Sequence, residues 1–236
     1  MMTNASKAPF LLILAGPIGA GKSTFYDKFM KDDSLLGKNR LEYLCLDDIA
    51  KGIIAEGQNG LLGQFIEAGR KTREKLSQNF QDSKSFIYET TASDYSPFRI
   101  LKEAKNAGYR TAMVFIGIES PDLSALRVMH RVKEGGHDVP TNTVLLRYGR
   151  ILKNLPKLIK NTDFSIIFDN SQKEWFRPLL MTDNQNSTNL GRWPQWLKTS
   201  LEQSDQPAEN LEKCTAGKAI SDFCSAIARR RAEQQK

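Results

Sequence analysis

Along most of the chain, apolar residues fall in short dense runs separated by longer polar stretches. Five of these runs, residues 10–14, 41–46, 86–88, 111–118 and 164–168, read as buried strands. Each is too short for a core helix, while the polar stretches between them are long enough for crossover helices. That alternation predicts an α/β fold whose five-stranded parallel sheet is flanked by helices. Helix punctuation agrees. Pro97 opens a segment that closes at Gly108, and Ser120-Pro121 supplies an N-cap and first turn to a segment stopped at Gly135-Gly136. After Pro140, the residues Val144, Leu145, Tyr148, Ile151, Leu152 and Leu155 recur at helical spacing, which predicts a helix packed on the sheet.

The pattern changes near Thr182. "TDNQNSTNLG", 182–191, is polar and reads as a linker or long loop. Beyond it, "RWPQWL" brings two tryptophans, and 207–231 predicts an amphipathic helix through Leu211, Cys214, Ile220, Phe223, Cys224 and Ile227. The ordinary role of such a helix is to cover core. The expected organisation is a main unit over 1–175 and a C-terminal helical extension over 176–236, packed on or near it.

Composition narrows the partners. A chain of 236 residues has room for one well-buried core. Its 34 basic and 27 acidic residues leave a net charge of +7, spread out rather than clustered, which suits phosphorylated small molecules as well as nucleic acid. The densest run is Arg229-Arg230-Arg231. Cys45, Cys214 and Cys224 lack zinc-ligand spacing, and a reduced, cytoplasmic compartment is the default for them. The apolar run after Lys7 flows on without a cleavage site, and no stretch reaches membrane-spanning length, so no membrane partner is expected.

The candidate chemistry begins where the first strand ends. Gly16-Pro17-Ile18-Gly19-Ala20-Gly21-Lys22-Ser23, followed by Thr24, matches GxxxxGK[ST], the loop whose backbone amides wrap phosphate oxygens at a helix N-terminus. Lys22 would reach the β and γ phosphates of ATP, and Ser23 would ligate magnesium. In a parallel sheet, ligands gather at the carboxyl ends of the strands, so the residues leaving the other strands decide what happens to that phosphate. The second strand ends in Asp47-Asp48 and the third in Glu89-Thr90-Thr91. They offer a candidate base for an acceptor hydroxyl and a candidate magnesium ligand, Glu89. Either acid alone also reads as a helix cap; beside the phosphate loop, function is the better reading.

Arg127 and Arg131 stand one helical turn apart, a like-charge pair costing about 0.2 to 0.5 kcal/mol unless an anion or acid offsets it. A lid that grips a transferring γ phosphate needs such a pair. A solvated face paired with Glu134 is the other reading. His137, beside the two glycines, reads as a loop bystander.

Together, "AGPIGAGKST", "LCLDDIAKG", "IYETTAS", "NAGYRTAMVFIGIESPDLSALRVMHRVKEGGHDVP", "RYGRILKNLP" and "FDNS" follow in the order seen in zeta-toxin-like P-loop kinases, and the chain resembles that family over about residues 10–170. The resemblance implies the P-loop NTPase fold with strand order 2-3-1-4-5 and an arginine-bearing lid. It also implies transfer of the ATP γ phosphate, with magnesium, to the 3′-hydroxyl of the sugar in UDP-N-acetylglucosamine, and a neutralising antitoxin partner. By motif position, Lys22 and Ser23 are the loop pair and Asp47 is the catalytic acid that accepts the sugar proton. Glu89 and Thr91 lie near the substrate with Asp48, and Arg127 is the first lid arginine. Where the family places a second arginine before Thr-Pro, this chain has His137 before Val139-Pro140, which leaves that duty to Arg131. For the acid that grips the sugar, Glu67 and Glu74 compete, and the adjacent Arg70 and Arg73 favour a more phosphorylated or acidic acceptor.

Two rivals remain open at this stage. One is a P-loop kinase of another acceptor, a polynucleotide end or an antibiotic, with nucleic acid the less expected partner. The other is a nucleotide-gated regulatory protein that holds ATP without transferring it, against which Asp47, Glu89 and the arginines argue.

Overall fold

The computed structural model describes residues 8–31, 41–55, 61–135, 139–172, 175–183, 186–201 and 219–225. At its centre is β1 (Phe10–Ala15), six consecutive buried residues. An uninterrupted apolar strand needs cover on both faces, and the pleat shares it between two cores. Leu11, Ile13 and Ala15 enter one apolar cluster, and Phe10, Leu12 and Leu14 the other.

Around β1 lie β2 (Glu42–Cys45), β3 (Phe86–Thr90), β4 (Arg110–Gly117) and β5 (Phe164–Asp169), all parallel, in the order β2-β3-β1-β4-β5. The crossovers are α1 (Lys22–Phe29), α2 (Leu46–Ala55), α3 (Leu61–Gln81), α4 (Ser96–Asn106), α5 (Pro121–Lys133) and α6 (Thr141–Asn161). The Ser120 hydroxyl caps α5 by accepting from the Leu123 amide at 3.1 Å, as its position before Pro121 predicts. On α6, Val144, Tyr148, Ile151, Leu155 and Leu158 are buried. Leu145, placed with them by spacing, is exposed instead.

The sheet does not stop at five strands. β6 (Arg177–Asp183) pairs antiparallel with β5, and β7 (Ser187–Asn189) with β6. Of the stretch expected as a linker or loop at 182–191, residues 182–183 and 187–189 lie in strands instead, and strand pairing begins two residues past the expected boundary at 175. The turn closes when Asp183 accepts the Asn186 amide at 2.8 Å and donates its own amide to the Asn186 carbonyl at 2.9 Å. Pro178 hides the strand from sequence reading because proline cannot donate to a ladder; it sits where the β5–β6 register shifts.

Helix α7 (Gln195–Leu201) follows. Its Trp196 and Leu197 pack into the cluster that also holds Phe115 of β4 and Leu155 of α6. Of the amphipathic helix expected over 207–231, the described part is helical over 219–225. There Ala219, Ile220 and Phe223 cover the opposite cluster beside Phe25 and Phe168. Cys214 and Arg229-Arg230-Arg231 lie outside the described residues.

Candidate active site

Because β1 to β5 are parallel, the segments leaving them emerge along one edge, and the register aligns Cys45 with Glu89 and Gly117 with Asp169. The phosphate-binding loop joins β1 to α1 at this edge, with Gly21 as the N-cap of α1. Gly16 has φ 146°, and a Cβ there would lie 2.1 Å from the Ile116 carbonyl oxygen, so the loop leaves β1 only if this residue has no side chain.

Three successive loop carbonyls are held from outside. The Ser124 hydroxyl donates to Ile18 O at 2.5 Å, Arg127 Nη1 to Gly19 O at 3.4 Å, and Asn170 Nδ2 to Ala20 O at 2.8 Å. Two of these donors come from α5 and one from the segment after β5, and together they set the path of the loop. Apolar contact adds to this, since Ile18 packs with Ala125 and Val128 of α5. Lys22 is buried, and its ammonium donates to Gly16 O and Pro17 O, each at 3.1 Å.

Glu89, the penultimate residue of β3, faces this lysine, with Oε1 3.8 Å from Lys22 Nζ. Its Oε2 accepts from the Ser23 hydroxyl at 3.3 Å and from the Tyr43 hydroxyl. Burial, and then the Glu89 charge, push the Tyr43 pKa far upward, so this phenol stays a donor. Its ring stacks on Tyr26 at 3.9 Å between centroids. Burial followed by the Glu89 charge also raises the Cys45 thiol to about 12. Tyr43 was missed in the sequence. Its signal is the two-residue period that puts it on the same strand face as Cys45, which aligns with Glu89.

The other candidates distribute around this centre. β2 ends at Cys45, so Asp47 and Asp48 stand in the first turn of α2 rather than on the strand. Both are exposed, and Asp48 pairs with Lys51 at 3.0 Å. Carboxylates there also complement the positive end of the helix. Thr24 is exposed on the first turn of α1. The Thr91 hydroxyl shares a hydrogen bond with Ser93 at 3.1 Å. On α3, Arg70 is clamped by both competing acids, donating from Nε to Glu67 at 2.9 Å and from Nη1 to Glu74. Both pairs lie within the helix and leave Arg70 exposed. Arg127 reaches both the loop and, at 3.0 Å, the Ser171 carbonyl. Arg131 stands one turn further along α5, half-buried. His137 lies outside the described residues.

For magnesium, the protein offers the Ser23 hydroxyl and the Glu89 carboxylate, neighbouring hard oxygens of the kind this ion prefers, with phosphate and water as natural further ligands. Among the described residues, no group of three or more His, Cys, Asp or Glu is placed to hold a metal by itself. Nor does any described helix have the length and apolar character to cross a membrane.

Comparison with known proteins follows the same lines. The family described as Zeta toxin matches residues 1–177. A protein of Haemophilus influenzae is 28% identical over 137 residues, covering 58% of this chain and 91% of that one. Among solved structures, a chain of the PezAT chromosomal toxin-antitoxin system of Streptococcus pneumoniae superposes with a TM-score of 0.59 at 19% identity. The match covers 84% of this chain and 85% of that one. A chain of the AvrRxo1-ORF1:-ORF2 complex with ATP gives 0.59 at 15% identity, over 78% of this chain and 61% of that one. The architecture is the P-loop NTPase fold.

Proposed function

The chain belongs to the zeta toxin family, and from that premise we propose that it is an ATP-dependent kinase of a UDP-activated sugar such as UDP-N-acetylglucosamine. The observation that carries the kinase part of this reading is the approach of Lys22 and Ser23 to Glu89, each within 4 Å, at the mouth of the phosphate loop, with Arg127 laid across the loop itself; the UDP-sugar acceptor is what the family resemblance implies.

ATP would lie with its phosphates in the loop, and bound magnesium would offset their charge. Lys22 leaves the Gly16 and Pro17 carbonyls and turns to the β and γ phosphates. Ser23 and Glu89 would hold the magnesium ion through their oxygens. At the head of α2, Asp47 accepts the proton of the sugar hydroxyl as its oxygen bonds to the γ phosphorus. The bond from that phosphorus to the β–γ bridging oxygen breaks, and ADP departs. Arg127, with Arg131 behind it, balances charge on the phosphoryl group in flight.

The same reading includes an antitoxin protein as partner, supported by family membership. The kinase activity is tested by incubating the protein with magnesium, ATP and a panel of UDP-sugars and seeking one added phosphoryl group by mass spectrometry. Product is expected with at least one UDP-sugar. Its absence from all of them overturns the acceptor, and transfer to an oligonucleotide end or an antibiotic instead would replace it.

A further inference from the structure

Arg127 is anchored on two backbone carbonyls, Gly19 O at 3.4 Å and Ser171 O at 3.0 Å. The second belongs to a short segment leaving β5, and that segment has its own fastening. The Ser171 hydroxyl donates to Asp169 Oδ1 at 2.5 Å. The same oxygen accepts the indole N–H of Trp196 at 3.1 Å, and Oδ2 accepts from Arg177 at 3.2 Å. Asp169 and Trp196 are both buried, with 8% and 4% of their surface exposed.

Trp196 comes from α7, beyond the residues that the family pattern matches. Its ring lies over the end of β4, where a Cβ on Gly117 would come within 2.2 Å of it. Gly117 is thus the space the indole occupies, and Gly117 O in turn accepts the amide of Asn170, which holds the loop at Ala20. A chain of contacts runs from the C-terminal segment to the guanidinium: Trp196 to Asp169, Asp169 to Ser171, Ser171 to Arg127.

We propose that Asp169 is a positioning residue which, gripped by Trp196 from the C-terminal segment, fixes the Ser171 carbonyl and thereby aims Arg127 at the γ phosphate. The inference rests on the reading of Arg127 given above but is independent of the acceptor. Losing the grip lets the guanidinium drift, while the loop keeps its bonds from Ser124 and Asn170. That costs γ-phosphate recognition and turnover more than it costs the binding of ADP. Burial lowers the Arg127 pKa and the nearby Asp169 charge acts against that shift.

The test is a set of double-mutant cycles on the full chain, combining Trp196→Phe and Ser171→Ala each with Arg127→Ala. Trp196→Phe removes the N–H together with the outer indole atoms that lie nearest Gly117, so it tests the whole grip of the side chain. Ser171→Ala leaves the Trp196 and Arg177 bonds of Asp169 intact, so it serves if the indole change perturbs folding. The readout is the ratio of the dissociation constants of ADP and ATP, both with magnesium, measured by calorimetry. Each single variant should lower this preference for ATP by about ten-fold, and neither should lower it further once Arg127 is alanine. Unchanged preference in both variants, or equal losses with and without Arg127, overturns the proposal. If Arg127→Ala itself leaves the preference unchanged, the role of Arg127 falls first and the positioning with it. Failure to find a UDP-sugar product touches neither result.

Discussion

Lys22 and Glu89 face each other across the mouth of the phosphate loop, ammonium to carboxylate, 3.8 Å apart and both largely buried. Attraction at that distance inside a protein is strong, and burial makes removing either partner costly. Glu89 also accepts from Ser23 and Tyr43 on one oxygen, so glutamine can keep both hydrogen bonds while the charge is removed and an amide NH2 replaces the oxygen facing Lys22. Glu89→Gln is expected to fold, to slow phosphoryl transfer about 10²-fold, and to need more magnesium for half-maximal rate. Initial rates across a magnesium titration check this. An unchanged magnesium requirement would remove Glu89 from the metal side of the site.

Arg127 is docked on the loop rather than held at a distance from it. In the role proposed for it, balancing charge on the transferring phosphoryl, its removal in Arg127→Ala should cost on the order of 10³ in kcat. Asp47→Asn should also abolish most turnover, but it should leave ATP affinity nearly unchanged, because the role proposed for Asp47 is on the acceptor side. Comparing kcat with ATP affinity in the two variants separates the roles. Intact turnover in either one refutes its assignment.

The Cys45 thiol, raised to about 12 by burial and the Glu89 charge, is under about 10⁻³ thiolate at pH 8. Iodoacetamide should therefore leave Cys45 unmodified in the folded protein and label it readily in denaturant. Peptide mapping by mass spectrometry reads the difference. Rapid native labelling would mean that the β2 end of the site opens far more than its packing implies.

Much of this was legible in the sequence because it is local. The phosphate loop is a contiguous pattern, and the central strands are apolar runs whose burial on both faces requires helices between them. Ser120 caps α5 from three residues away, a spacing visible in the chain. What escaped is set by distance along the chain. Tyr43 meets Glu89 only because β2 and β3 are neighbours, and Trp196 meets Asp169 only after β6 and β7 have carried the chain back. β6 itself was masked by Pro178 and by the polar hairpin after it. Between Glu67 and Glu74 spacing gives no choice, and what it also does not display is that Arg70 lies between them and engages both.

Tyr109 ties the base of β3 to the end of α3, its hydroxyl donating to Asn79 O at 2.7 Å and Lys84 O at 2.8 Å. Its ring packs edge-on against Phe80, 5.3 Å between centroids. Burial, then the Asp82 charge, raise this phenol to about 12, against a value near 10 in the unfolded chain. Between those two values the unfolded chain has lost the proton that the folded one keeps, so raising the pH favours unfolding. The contribution is complete below about pH 10 and is lost through about pH 12. Tyr43, Tyr88 and Tyr148 are shifted upward by burial as well, so they share in the alkaline transition. Tyr109→Phe should lose about 1 to 3 kcal/mol at neutral pH, because two carbonyls lose their donor. Its stability should also fall less steeply between about pH 10 and 12 than that of the parent. Urea unfolding at a series of pH values measures both effects, and an unchanged slope in the variant would show that Tyr109 does not titrate with folding.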